Sequence, residues 1–439
     1  MLEYNNKLSD IIDLCISSAK KKGATDAEVS IVKSTAETVS FRNKKLDESD
    51  RSENIGLSLT AYINKKKTSV SSSNLKNDNL EMLIERCVDA AKVTPEDEHN
   101  SLPDEKLYFK NSDELDLFDK THLENNQKID YLKEAEEVAF KNNEIVNTNG
   151  SSFSESKTEV VLGNSKGFKN GYKTSNFTAY CEVVSKNNGS MERDYEYTSK
   201  RHFEDLLRPS ELGSNAAKYA IRKLKPQKIN SGKFDIIFDK RISKNFLNYF
   251  SSAISGSSIY RGTSFLKGKL NKKIFSDNIN IVDRADIKRG NGSRYFDNEG
   301  VKIQNLSLVN NGVLNDYLMD TYYGNKLNII SNGRSGGTTN LYFENGKQNL
   351  KDLMNSKNKI FYVTETIGHG TNIVTGDYSL GAGGMMIENG EFVYPISEVT
   401  IAGNLNEMFM KTILANDLQF NYSTNSPSML INSMTVAGK

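Results

Sequence analysis

The chain has 439 residues, more than one hydrophobic core usually serves, so two or three domains are expected. Lys+Arg 57 against Asp+Glu 56 leave a formal charge of +1, which supplies no field to draw the chain onto nucleic acid or an anionic membrane surface. A hydrophobic content of 37% is on the polar side for a globular protein, yet 20 Phe and 20 Tyr exclude a disordered chain.

Leu8, Ile11, Ile12, Cys15 and Ile16 recur at helical spacing and predict an opening helix that Gly23 ends. The start, Met-Leu-Glu-Tyr-Asn-Asn-Lys-Leu, has no apolar h-region and does not read as a signal peptide. Alternation then predicts strands at Ala27–Val32, Thr38–Phe41, Ile55–Tyr62 and Thr68–Ser72, each with one wet face. A second helix is expected from about Asn79 to Ala91. Residues 94–126 hold Pro95, Pro103 and many carboxylates without a sustained period, and read as a long surface connection rather than a domain boundary.

The same order then returns: a helix near Ile129–Lys141, strands through Val160, Phe177–Val184 and Tyr195–Tyr197, and a helix near Leu212–Leu224. Two helix–sheet–helix units in one N-terminal α/β domain, residues 1–228, are the expectation. Pro226 and Gly232 interrupt the period just before the apolar strand Phe234–Phe238, which sets the start of a second domain, residues 229–439. More than half of the 30 glycines fall between Gly290 and Gly403, among short Val, Ile, Tyr and Phe runs. Frequent turns between short strands predict a β-rich, sandwich or barrel-like fold there, making the whole chain α+β.

The three cysteines, Cys15, Cys87 and Cys181, are odd in number and set in apolar or helical contexts, and read as reduced, buried thiols of a cytoplasmic protein. No stretch approaches the ~20 apolar residues a bilayer span needs. The histidines are His99, His122, His202 and His369, so no two stand one helical turn apart, and no Gly-x-Ser-x-Gly elbow or cysteine partner marks a nucleophile. Ser331–Gly337 matches neither the P-loop nor the dinucleotide fingerprint.

Gly368-His-Gly-Thr-Asn-Ile-Val-Thr-Gly-Asp-Tyr-Ser-Leu-Gly-Ala-Gly-Gly384, with Ser293–Gly300 and Thr400–Leu405, resembles the TldD/PmbA family of peptide-processing proteins. The resemblance extends over nearly the whole chain and is most specific from Ala253 onward. It implies a heterodimer in which a zinc-bearing TldD-like subunit, with a His-Glu-x-x-x-His helix and a C-terminal cysteine ligand, cleaves unfolded peptides in an enclosed cavity. The family description "modulator of DNA gyrase" belongs to the same resemblance.

The helix expected after Asp239 carries an apolar stripe at Ile242, Phe246, Leu247, Phe250, Ala253 and Ile254 and ends near Gly256, before Tyr260-Arg-Gly-Thr-Ser264. In the zinc-bearing relatives a similar stretch follows the metal helix. Counting back from it puts the His-Glu-x-x-x-His positions at Leu247, Asn248 and Ser252, none suited to the role. The resemblance therefore implies the TldE/PmbA-like member, with no metal ligands or cofactor of its own and zinc in the partner; whether it forms a homodimer when alone is left open by the sequence. The helix reads equally as plain core.

His369 is either a base or ligand, or an incidental loop residue. Asp377, with Tyr378 beside it, offers either a substrate contact or ordinary turn chemistry. Gly381, Gly383 and Gly384 let a backbone approach closely, which suits either a docked peptide or a tight turn or bulge.

Overall fold

The computed structural model describes residues 5–439. A single six-stranded antiparallel sheet organises the N-terminal half, in the order β3-β2-β1-β4-β5-β6. Its strands are β1 (Asp26–Arg42), β2 (Lys45–Ile63), β3 (Lys66–Ser72), β4 (Ile145–Asn164), β5 (Lys169–Asn187) and β6 (Ser190–Lys200). The separate short strands read from alternation fuse into long hairpins, with two-residue turns at β1–β2, β2–β3 and β5–β6. Asn43 and Lys44 have φ of 50° and 64°, the left-handed pair of a type I′ turn, whose twist matches that of the flanking strands.

Four helices cover one face of this sheet: α1 (Asn6–Lys21), α2 (Asn77–Val93), α3 (Asn125–Ala139) and α4 (Pro209–Ile221). The strands are long enough that each end carries its own core. Ala27, Val29 and Ile31 of β1 pack with Ile12 and Cys15 of α1 and Ile84 and Cys87 of α2. Val39 and Phe41 of the same strand pack with Leu132 and Ala135 of α3 and Ala216 of α4. Between these cores lies Lys128, fully buried, its ammonium 2.7 Å from Glu37 and 3.2 Å from Glu155. Cys15, Cys87 and Cys181 are all buried and free, and burial pushes the Cys15 and Cys181 thiols up to about 11.

Residues 94–124 depart from the surface course expected of them. Tyr108, Phe109, Leu115 and Leu117 are buried in a cluster with Phe168 of the sheet's β4–β5 turn and with Tyr295 and Phe296 of the C-terminal half. The segment lacks a period because it packs as irregular chain, and it is covered because the second half of the protein closes over it.

The C-terminal half is β-rich and barrel-like, as its glycine spacing predicts. Its strands are β7 (Gly232–Phe238), β8 (Ile281–Arg284), β9 (Leu306–Asn310), β10 (Val313–Leu314), β11 (Asn340–Phe343), β12 (Lys359–Ile367), β13 (Asp377–Glu388), β14 (Glu391–Asn404), β15 (Thr412–Leu414), β16 (Thr424–Asn425) and β17 (Met429–Ala437). Pairing runs β14-β13-β12-β7-β17, and β17 returns to β14 through Thr400–Ala437, Ile401–Val436 and Ala402–Thr435, which closes a five-stranded barrel. A second sheet has the order β10-β9-β8-β11-β16. Between them runs the main core, with Phe238, Phe275, Phe343, Phe361 and Phe409 all buried. Among the described residues no helix is long and apolar enough to cross a membrane.

Candidate functional site

The apolar stripe after Asp239 forms two helices, α5 (Lys240–Ser243) and α6 (Asn245–Ala253), followed by α7 (Gly256–Arg261), rather than one helix running to Gly256. The Asp239 carboxylate accepts the Arg241 N–H at 2.8 Å and starts α5, while the Ser255 hydroxyl accepts the Ser258 N–H at 3.3 Å and starts α7. Phe246, Leu247, Phe250 and Ala253 form the buried side of α6. Its other side presents Asn248 and Ser252 to solvent, and the Ser252 hydroxyl donates back to the Asn248 carbonyl at 2.8 Å. Ser264, in the Arg-Gly-Thr-Ser segment, donates to the Ala253 carbonyl at 2.6 Å and so ties that segment to the end of α6.

Beside α6 and α7 lies a hollow of about 420 Å³ lined by Ser251, Ser252, Ser255, Ser258, Asp320 and Thr338. Asp320 is occupied, since its carboxylate accepts the Tyr323 N–H at 2.7 Å and caps the helix α8 (Thr321–Leu327). Arg334 also borders the hollow but is committed inward: both it and Asp283 are fully buried, 2.7 Å apart. Arg334 donates further to the Asn332 and Gln304 carbonyls, and Asp283 accepts from the Thr339 N–H and hydroxyl. Ser331–Gly337 is thus a braced loop whose one cation is satisfied.

This donor set does not fit zinc. Leu247 is 0% exposed and offers no lone pair, and Asn248 and Ser252 offer only an amide and a hydroxyl, weak partners for that ion. Among the described residues no three His, Cys, Asp or Glu side chains gather as a metal-holding group.

The glycine-rich segment lies against the same helix. The Tyr378 ring stacks on Phe246 with centroids 5.6 Å apart and is 3% exposed, so it belongs to the core. The loop before it is joined to the segment after α7 by the Phe265 N–H donating to the Ile373 carbonyl at 2.9 Å. His369 is exposed on that loop. Asp377 accepts from the Thr375 hydroxyl at 2.6 Å and from the Asn404 amide at 3.1 Å; these bonds, the hydroxyl first, lower its pKa. That is the geometry of a turn.

Gly381, Gly383 and Gly384 lie in β13, which is paired on both sides by β12 and β14. The close backbone approach is therefore to neighbouring strands: a Cβ on Gly384 would stand 2.0 Å from the Tyr362 carbonyl oxygen. The ladder slips here on both flanks, between Val363 and Glu365 and between Ala382 and Gly384.

A second hollow, of about 530 Å³, escapes sequence reasoning because its walls come from both halves: β5, β6, α5 and the far end of β12. Tyr180, Tyr195, Tyr197 and Tyr422 form a row of rings with successive centroids 5.3, 6.2 and 5.1 Å apart. The outer edge of β6 is closed by side chains. Lys223 donates to the Arg193 carbonyl at 3.2 Å and Arg241 to that of Tyr195 at 3.4 Å, while Asp194 and Glu196 accept the N–H groups of Tyr195 and Tyr197. The alternation in Tyr195-Glu-Tyr197 was the one visible trace of this wall.

Comparison with known proteins places this geometry. Three family models match in sequence: PmbA/TldA metallopeptidase domain 1 over residues 27–91, the central domain over 119–224 and the C-terminal domain over 231–438. The metalloprotease PmbA homolog of Haemophilus influenzae is 33% identical over 98% of this chain and 96% of its own. Metalloprotease PmbA of Escherichia coli O157:H7 is 32% identical over 97% and 94%. A Bacteroides thetaiotaomicron crystal structure, described as a candidate modulator of DNA gyrase, superposes with a TM-score of 0.93 at 29% identity, covering 99% of this chain and 100% of that one. TldE from Thermococcus kodakarensis shares the fold, with a TM-score of 0.86 at 18% identity over 98% and 100%. Matched from residue 27 to residue 438 and carrying the closed barrel and the α6 hollow described above, the chain belongs to the PmbA/TldD family.

Proposed function

We propose that this chain is the zinc-free subunit of a cytoplasmic, TldD/TldE-like metallopeptidase. A zinc-bearing partner cleaves unfolded peptides in a cavity that this chain helps to enclose. The observation that carries this reading is the exposed side of α6, which keeps the helix and the segment after it but offers an amide and a hydroxyl in place of metal ligands. Shared enclosure of the scissile bond excludes folded proteins by size, so cavity access sets selectivity. Without the partner, the same surface is free to pair with a second copy.

The test is zinc content and turnover of an unstructured peptide, measured for this chain alone and mixed with the zinc-bearing relative from the same cell. Zinc and turnover confined to the mixture support the reading. Stoichiometric zinc with turnover in the lone chain, lost on mutation of His369 or Asp377, makes it an independent hydrolase instead. The Bacteroides structure's description favours a second reading, a protein-binding modulator, which requires tight binding to gyrase and no peptide turnover in the mixture.

A further inference from the structure

The tyrosine-lined hollow between the two halves shares no lining residue with the α6 hollow. Most of its charges are already matched. Asp194 lies 3.2 Å from Lys223 and 3.5 Å from Arg241, and Lys223 also reaches Glu365 at 2.7 Å. With the outer backbone groups of β6 also occupied, the wall has no room for an added strand and must hold a ligand by side chains.

Three features remain open to a ligand. The first is Lys244, whose ammonium donates to the Tyr197 hydroxyl at 3.4 Å and lies 3.1 Å from the Tyr422 ring centroid and 5.8 Å from that of Tyr197, but has no anionic partner. Among the described residues no carboxylate is within ion-pair distance of it; burial first, then the Arg241 charge, push its pKa down to about 8, the behaviour of a cation short of a counter-ion. The second is Thr364, 4% exposed, which sits at the β12 bulge and borders the hollow, its enclosed hydroxyl met by no protein group. The third is aromatic surface, with Tyr195 43% exposed.

We propose that this hollow binds peptide segments in which an aromatic side chain neighbours a carboxylate, the ring stacking on the tyrosine row and the carboxylate meeting Lys244 and Thr364. Stacked aromatic pairs prefer the offset and tilted arrangements the row already displays. A carboxylate on a desolvated ammonium forms the stronger, charge-assisted kind of hydrogen bond. The volume exceeds what a single aromatic acid fills, and exposed Ile367 at the mouth leaves a path for the chain to continue. The site needs no partner subunit, so it is tested on this chain alone and stands or falls apart from the metallopeptidase reading.

Calorimetric titration of the full chain with acetyl-Phe-Glu-Ala-amide, acetyl-Phe-Gln-Ala-amide, acetyl-Ala-Phe with a free C-terminus, and 3-phenylpropionate separates the possibilities. The Glu peptide or the free C-terminus should bind about tenfold or more tighter than the Gln peptide. Lys244→Gln should abolish that difference, and Thr364→Val should weaken the carboxylate probes more than the Gln peptide. Binding of both the Glu peptide and the free C-terminus no tighter than that of the Gln peptide, by the unmodified chain, overturns the proposal whether or not the variants fold. Binding of 3-phenylpropionate as tight as the peptides also overturns it, by making the ligand a free aromatic acid.

Discussion

Arg334→Met isolates the brace behind the α6 hollow. Arg334 and Asp283 are both 0% exposed at the side chain and 2.7 Å apart, and the guanidinium donates to the Asn332 carbonyl at 2.9 Å and that of Gln304 at 2.6 Å. Methionine preserves much of the apolar length but leaves Asp283 buried with only the Thr339 N–H and hydroxyl, 2.8 and 2.7 Å away. Breaking one side of a buried pair costs about 3–5 kcal/mol, because the remaining charge cannot return to water. Asp283→Leu should cost a similar amount, and the double variant distinctly less than the sum, since two apolar side chains leave no orphan charge. Urea unfolding followed by circular dichroism measures all three. A loss below about 1 kcal/mol in Arg334→Met, or strict additivity in the double variant, refutes the argument that the pair works as one buried unit.

Gly384→Ala places a Cβ 2.0 Å from a carbonyl oxygen of the neighbouring strand and should cost about 1–3 kcal/mol, whereas Gly381→Ala, 3.4 Å from its nearest backbone atom, should be mild; thermal melting of the pair checks it. Burial first, then a neighbouring carboxylate, Glu299 for Glu28 and Asp297 for Glu299, raises Glu28 to about 8 and Glu299 to about 7 at the seam between β1 and the 297–299 loop. An acid raised on folding binds protons that the unfolded chain has released, so stability should fall from about pH 5 to pH 8, and Glu28→Gln should flatten that slope in unfolding curves taken across the range. Lys128→Met removes the buried ammonium between Glu37 and Glu155, which keep Arg51 at 3.3 Å and Lys157 at 3.0 Å, and should cost about 1–3 kcal/mol in the same urea assay.

Period-bearing elements were legible in the sequence. The α1 stripe from Leu8 to Ile16 and the alternation of Ala27–Val32 both report a side chain's distance from one local surface, and both fall inside observed elements. The joining of short runs into strands of 17–20 residues was less visible, because polar stretches such as Lys45–Asn54 are strand only through pairing across the turn. The buried course of residues 94–124 was invisible for a different reason: Tyr108 and Phe109 find their cover about 190 positions away, at Tyr295 and Phe296, and no local pattern records that. The same holds for the tyrosine hollow, where Tyr197 meets Tyr422. The closure of β13 on both edges, which gives Gly384 its neighbour, required the barrel itself.

The pairing of β1 has a practical consequence for dissecting the chain. That strand bonds to β2 on one side and to β4 on the other, from Glu28–Asn164 through to Phe41–Ser151, although β4 lies more than a hundred residues downstream. A fragment cut after residue 91, where the first family match ends, would lose β4 and leave the β1 side of that ladder bare, as sticky as the rim of an amyloid protofilament. Fragments for expression should therefore keep residues 26–200 together, with short tag insertions confined to the exposed Asn43-Lys44 and Asn188-Gly189 turns.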